Sequence, residues 1–204
     1  MAFKIESAEF AASFADVAAY KNRAAALCRV PQICFVGRSN AGKSSLINML
    51  AGKKIARTSR EPGRTRLINF FSLDGGRVFL ADIPGYGYAK VSKAERGGWG
   101  ELIEGYLLTA DAPKHIFLLA DARIDPAASD KKMIDFMYSN RLPFTVLAAK
   151  ADKLSGAALS RSVQKIATAF CLGRDDIIAV SSVTNLGRAA LLEKIGSVVE
   201  RSEA

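Results

Sequence analysis

The chain has 204 residues, half of them hydrophobic and 24% charged, enough apolar material for one packed domain and too much for a disordered chain. Twenty-nine Lys and Arg against 20 acids leave a net charge of +9, which attracts polyanions and makes nucleic acid the leading macromolecular partner. The longest aliphatic-aromatic run, 116–120, is far short of the ~20 residues that span a bilayer, and the opening residues, with Lys4, Glu6 and Glu9, lack the order of a secretory signal.

Taken in chain order, Phe10, Phe14 and Val17 fall at helical spacing and predict a helical extension over 1–30, ahead of a main domain over 31–204. Gln32–Val36 reads as a buried strand, Lys43–Ala51 as a helix and Leu67–Leu73 as a second strand; Asp74-Gly75-Gly76 is a hairpin turn into an antiparallel strand, Val78–Ala81. Trp99, Leu102, Ile103 and Tyr106 mark a helix, and His115–Ala120 a buried strand. Asp125-Pro126 reads as an N-cap and first helical residue ahead of an apolar face of Met133, Ile134, Met137 and Tyr138. Phe144–Ala148 is a strand, Leu159, Val163, Ile166 and Phe170 a helical stripe, Ile177–Val180 the last strand, and Leu191, Leu192, Ile195 and Val198 the last helix. This alternation predicts an α/β fold with three layers, α/β/α, around a six-stranded, mostly parallel sheet with one antiparallel edge strand. The cysteines, Cys28, Cys34 and Cys171, are odd in number and form no CxxC pair, which argues against disulfides or zinc and for a reducing cytoplasm. Cys34 and His115 read as structural residues.

The chemistry gathers at strand ends. Gly37-Arg38-Ser39-Asn40-Ala41-Gly42-Lys43-Ser44 matches G-x-x-x-x-G-K-[ST] between a strand and a helix, the pattern that curls backbone amides and a helix N-terminus around phosphate. Lys43 supplies a cation for the outer phosphates and Ser44 a hydroxyl for Mg²⁺; the cradle extends to Ser45. Asp82-Ile83-Pro84-Gly85 leaves the carboxyl end of another strand, placing Asp82 as a direct or second-shell ligand of Mg²⁺ and Gly85 where its amide meets a γ-phosphate. Lys150-Ala151-Asp152 and Ser181-Ser182 follow two further strands. A carboxylate at Asp152 takes both N1–H and N2–H₂ of guanine, which adenine does not offer, while the stem of Lys150 covers the base. Each short piece alone is weak; together, in order at successive strand ends, they are specific.

GRSNAGKSSLIN (37–48), TSREPGRTRLINFF (58–71), DIPGYGYAKVSK (82–93), KADKL (150–154) and SS (181–182) resemble the translation-factor-like P-loop GTPases (the TrmE-Era-EngA-EngB-Septin-like group) and, among them, the EngB (YihA/YsxC-type) ribosome-biogenesis GTPases. The resemblance implies a Ras-like G domain, Mg²⁺ and GTP/GDP binding, slow GTP hydrolysis, association with the large ribosomal subunit during assembly, and a link to cell division and septation. It makes Thr65, beside Pro62 and Gly63, the threonine that reaches Mg²⁺ and the γ-phosphate in the GTP state, and matches Asn40 to an asparagine that helps hold K⁺ near the phosphates. The sequence departs from the common pattern at Ala149, where Asn or Thr is usual, and at Tyr86, where Ras-like enzymes carry a water-orienting Gln. Lys43 and Thr65 are therefore the catalytic candidates, with no side chain assigned to orient water.

Residues 53–96 hold ten Lys or Arg and four acids, a net +6 of the chain's +9. This switch face predicts binding to ribosomal RNA of the large subunit or its assembly intermediates by a monomer, coupled to the nucleotide state. Tyr86, Tyr88 and Trp99 suit either base stacking or local packing. A P-loop small-molecule kinase and an RNA-binding module with a vestigial nucleotide site stand as alternatives; Asp152 and Ser181 would be surplus in the first, and intact Lys43, Ser44 and Asp82 weigh against the second.

Overall fold

A computed structural model describes residues 3–23, 27, 29–58, 67–87, 93–109 and 112–203, with backbone alone for Arg23, 93–99 and Glu203. The strands are β1 (Ala8–Phe14), β2 (Gln32–Gly37), β3 (Ile68–Leu73), β4 (Val78–Asp82), β5 (Lys114–Asp121), β6 (Phe144–Ala149) and β7 (Ile177–Val180). The α-helices are α1 (Val17–Arg23), α2 (Lys43–Ala51), α3 (Lys93–Leu107), α4 (Ala128–Ser139), α5 (Gly156–Phe170) and α6 (Arg188–Glu203). The strands form one sheet in the order β1-β3-β4-β2-β5-β6-β7, with β1/β3 and β3/β4 antiparallel and the other pairs parallel.

Every residue of β2 is buried, as a strand covered on both faces requires. Alternation divides it: Cys34 and Val36 enter a core with Tyr106, Ile134, Met137, Ile166 and Phe170, while Ile33 and Phe35 enter a second core with Leu46, Ile47, Leu50, Leu191 and Ile195. Three layers result. The chain builds β3 and β4 on one side of β2 and β5, β6 and β7 on the other, so β2 stands at the switch point where such sheets open a crevice at their carboxyl ends.

The sheet has seven strands, not the expected six, because the N-terminal segment does not begin as a helix. Ala8–Phe14 pairs antiparallel with β3, satisfying backbone groups that edge would otherwise expose. The four-residue spacing of Phe10 and Phe14 misleads: a register shift between Phe10 and Ala12 moves the strand's inward side from one core to the other, with Ala8 in the α2/α6 core and Phe14 in its opposite. Phe10 remains 57% exposed with its ring edge-on to Phe71. Only then does α1 start, capped by Asp16 Oδ1, which accepts from Ala19 N at 2.6 Å.

A second correction concerns α4. Its N-cap is Ala127, not Asp125; Asp125 pairs with Lys165 at 2.8 Å, and Asp130 takes over the capping from inside the helix by accepting from Ala127 N at 3.2 Å. Cys34 is buried, and burial pushes its thiol up to about 11. Cys171 is exposed, and Cys28 lies outside the described residues. His115 is buried with Nε2 at 2.9 Å from Thr145 Oγ1, and burial, then Lys194 and Arg201, lower it to about 4. Among the described residues no helix is long and apolar enough to cross a membrane.

Candidate nucleotide site

The loop between β2 and α2 closes tightly because its backbone visits conformations few side chains allow. Gly37 has φ +153, and a Cβ there would stand 2.8 Å from the Leu119 carbonyl of β5. Asn40 has φ +64, and Gly42, at φ +108, is the N-cap of α2 and leaves that end without a side-chain cap. The first amides of α2 are thus available to an anion. Ala41 and Lys43 are buried; Arg38, Ser39, Ser44 and Ser45 are half-buried; the side chain of Asn40 points outward.

Lys43 Nζ donates to the Gly37 and Arg38 carbonyls, both at 3.2 Å, which curls its side chain back over the loop. Burial lowers its ammonium from the usual lysine range, opposed by Asp82. Asp82, the last residue of β4, accepts from Ser44 Oγ at 2.6 Å; burial raises its carboxyl, opposed by Lys43 and Ser44. Hydroxyl, carboxylate and ammonium therefore share one place, and hydroxyl and carboxylate are the hard oxygen donors that suit Mg²⁺.

Gly85 packs directly on the loop: a Cβ there would fall 2.7 Å from Ser39 N and Cα and 3.0 Å from Lys43 Nζ. Its carbonyl accepts from Ser39 Oγ at 3.2 Å. Tyr86 continues the contact as a parallel bridge to Arg38, its carbonyl accepting from Ser39 N at 3.1 Å and its amide donating to the Gly37 carbonyl at 3.3 Å. Gly63 and Thr65 lie outside the described residues, as do Tyr88 and the side chain of Trp99.

On the other side of β2, Lys150 at φ +60 donates to the Asn40 carbonyl at 2.7 Å and to Asp121 Oδ2 at 2.8 Å, fastening the loop to the end of β5. Asp152 begins the next turn and accepts from Ser181 Oγ at 2.7 Å; that bond is the first cause holding its carboxyl below the usual range. Ser181 is buried and accepts in turn from Val183 N and Thr184 N. Ser182 is exposed beside it. One cleft of about 190 Å³ is lined by Gly42, Ser45, Lys150, Asp152, Ser182 and Val183 among others, so the β6 and β7 loops open onto the same ground as the start of α2.

Ala149 ends β6 with its methyl buried and its carbonyl accepting from Ala122 N at 2.9 Å. Sequence reasoning missed Asp121. Arg123 binds it through Nε at 2.9 Å and an η nitrogen at 2.8 Å, and although burial opposes, the Arg123 and Lys150 hydrogen bonds hold its carboxyl down to about 2. Its place at the carboxyl end of β5 is the signal that could have found it.

The family model described as "50S ribosome-binding GTPase" matches residues 32–150. A "Probable GTP-binding protein EngB" of Pelotomaculum thermopropionicum is 43% identical over 195 residues, 95% of this chain and 96% of that one. A protein of the same description from Thermotoga maritima is 42% identical over 172 residues, covering 84% of this chain and 88% of the relative. In fold, the chain is similar to the crystal structure of a probable GTP-binding protein EngB, with TM-score 0.68 and 24% identity over 83% of this chain and 99% of that chain. It is likewise similar in fold to Era in complex with MgGDPNP and nucleotides 1506–1542 of 16S ribosomal RNA, with TM-score 0.65 and 22% identity over 84% of this chain and 56% of that chain.

Proposed function

The chain belongs to the EngB family of GTP-binding proteins and is a P-loop GTPase, and from that premise we propose that it acts as a GTP-driven switch in assembly of the large ribosomal subunit. The observation that carries this reading is the meeting of Ser44 and Asp82 at 2.6 Å beside buried Lys43, with Asp152 and Ser181 joined at 2.7 Å along the same sheet edge. A triphosphate needs the first set and a guanine the second.

In this reading the amides from Gly37 to Ser45 and the N-terminus of α2 cradle the phosphates, and Lys43 exchanges its two carbonyl partners for β- and γ-phosphate oxygens. Ser44, Asp82 and Thr65 would hold Mg²⁺, which would supply positive charge against that developing during phosphoryl transfer. Gly85, free of a Cβ, brings its amide to the γ-phosphate; Thr65, beside Gly63, is the residue that would reach the γ-phosphate in the GTP state. Lys150 pins the loop and covers the base, Asp152 reads its N1–H and N2–H₂, and Ser181 and Ser182 orient Asp152 and close the base pocket. Asn40 contributes to a K⁺ site. The Tyr86 hydroxyl is committed to Asp130 at 3.0 Å and does not orient water, so hydrolysis is slow until a partner orders the switches.

The basic segment 53–96 meets ribosomal RNA, a reading supported by its excess of positive charge and by the family model's description as a 50S ribosome-binding GTPase. The protein works in the cytoplasm as a monomer, with 31–204 as its G domain and 1–30 supplying the edge strand β1 and helix α1 beside it, and it carries the family's link to cell division and septation. The test is a pull-down of ribosome-assembly particles with the protein held with a GTP analogue, with GDP or without nucleotide. Enrichment of large-subunit precursors in the GTP-analogue arm alone is expected; equal recovery in all three arms contradicts the switch.

A further inference from the structure

Tyr86 stands where Ras-like enzymes carry a water-orienting glutamine, and the structure gives its hydroxyl another task. It donates to Asp130 Oδ1 at 3.0 Å, while Asp130 Oδ2 accepts from Ala127 N at 3.2 Å. Asp130 is 4% exposed in the first turn of α4, a helix seated in the core through Ile134 and Met137. The carboxylate is thus held on a rigid element with both oxygens in use. On the loop side, the Arg38 side chain passes beside Gly87, where a Cβ would stand 3.5 Å from its Nε, and that Nε is buried without a hydrogen-bond partner. Burial raises the Asp130 carboxyl above its usual range, opposed by the hydrogen bonds from Ala127 N and Tyr86 and by the Arg38 charge.

We infer that Tyr86 and Asp130 are positioning residues for γ-phosphate recognition: their hydrogen bond anchors the segment after β4 to the start of α4 and so sets Gly85 over Ser39 and Lys43. The inference rests on the proposed reading of the ground beside Lys43, Ser44 and Gly85 as the phosphate end of a GTP site. Gly85 is the residue before Tyr86, and its fit is close enough that a Cβ would meet Ser39 backbone at 2.7 Å. A side chain fixed at its far end by a buried carboxylate holds that fit more narrowly than the two Tyr86 backbone bonds, at 3.1 and 3.3 Å, hold it alone. GDP, lacking the γ-phosphate, does not call on Gly85; GTP does.

The test compares the affinities of a non-hydrolysable GTP analogue and of GDP for the parent, Tyr86→Phe, Asp130→Asn and the double variant. Each single variant is expected to lose roughly five- to tenfold in affinity for the analogue, a fraction of what a hydrogen bond to a carboxylate is worth, and to keep its GDP affinity within about twofold. The double variant is expected to lose no more than either single one, because both remove the same bond. Retained GDP binding also shows that the variants fold. Equal losses for both nucleotides mean general packing and overturn the inference, as do single losses that add in the double variant. A parent that binds neither guanine nucleotide overturns the reading of the site itself.

Discussion

Gly85→Ala adds one methyl where the structure has no room for it. The new Cβ would lie 2.7 Å from Ser39 N and Cα and 3.0 Å from Lys43 Nζ. Ser39 is backbone in a closed loop and cannot swing aside, so the segment after β4 must lift. Lifting weakens the Ser39–Tyr86 bond at 3.1 Å, the Tyr86–Gly37 bond at 3.3 Å and the Ser39–Gly85 bond at 3.2 Å. Overpacking of this kind costs about 1–3 kcal/mol, or roughly 2–12 °C in melting temperature for a domain of this size. Gly85 carries no positive φ, so the loss is steric and not conformational. Gly100 supplies the opposite sign: it lies in α3 with no described residue within 4 Å of where a Cβ would stand, and Gly100→Ala should stabilise by about 0.5–1 kcal/mol. Urea unfolding of the parent and both variants, without nucleotide and with GDP or a GTP analogue, reads the result. Gly85→Ala should lower stability and lose the extra protection that the analogue gives over GDP. A Gly85→Ala protein as stable as the parent and still favouring the analogue refutes the packing argument.

Asp152→Asn should weaken GTP and improve binding of xanthosine triphosphate, whose changed edge suits an amide; a titration with unchanged preference removes Asp152 from the base site. Neutralising Arg57, Arg60 and Arg64 should lower large-subunit association and flatten its dependence on salt, measured as the slope of log affinity against log salt; identical slopes count against the basic face. Hydrolysis should run faster in K⁺ than in Na⁺ and lose that difference in Asn40→Ala; equal parental rates dismiss the K⁺ site. His115, lowered to about 4 from an ordinary 6.5, binds its proton more readily unfolded than folded. Its contribution is therefore complete above about pH 6.5 and lost as pH falls toward 4, and His115→Gln should flatten the stability profile in that window.

Much of the fold was legible because the sheet's centre is buried on both faces: Gln32–Val36, His115–Ala120 and Phe144–Ala148 are short apolar runs between turn residues, and each is a strand within one or two residues of that reading. Ala8–Phe14 was not legible. An edge strand with three exposed residues in a row shows neither alternation nor an apolar run, and its register shift makes Phe10 and Phe14 mimic a helical stripe. The α4 boundary slipped because Asp125-Pro126 has the residue types of a cap while Lys165, a partner 40 positions away, claims the carboxylate. The P-loop, Asp82 and Asp152 stood out since their residue types sit directly at strand ends, where the crevice lies. Asp130 escaped for the reverse reason: it acts through a contact with distant Tyr86 that spacing along the chain does not reveal, whereas Asp121 does sit at the end of β5 but falls in no motif, and its contact with Lys150 spans 29 positions.

The strand-end loops must converge upon one bound nucleotide if the protein is to work as a GTP switch. A crystal structure with Mg²⁺ and a non-hydrolysable GTP analogue should show Lys43 on the β- and γ-phosphates, Ser44 and Asp82 at the metal, and Asp152 on the guanine edge of the same molecule. Nucleotide bound elsewhere, or an Asp152 facing a cavity apart from Lys43 and Asp82, would contradict it.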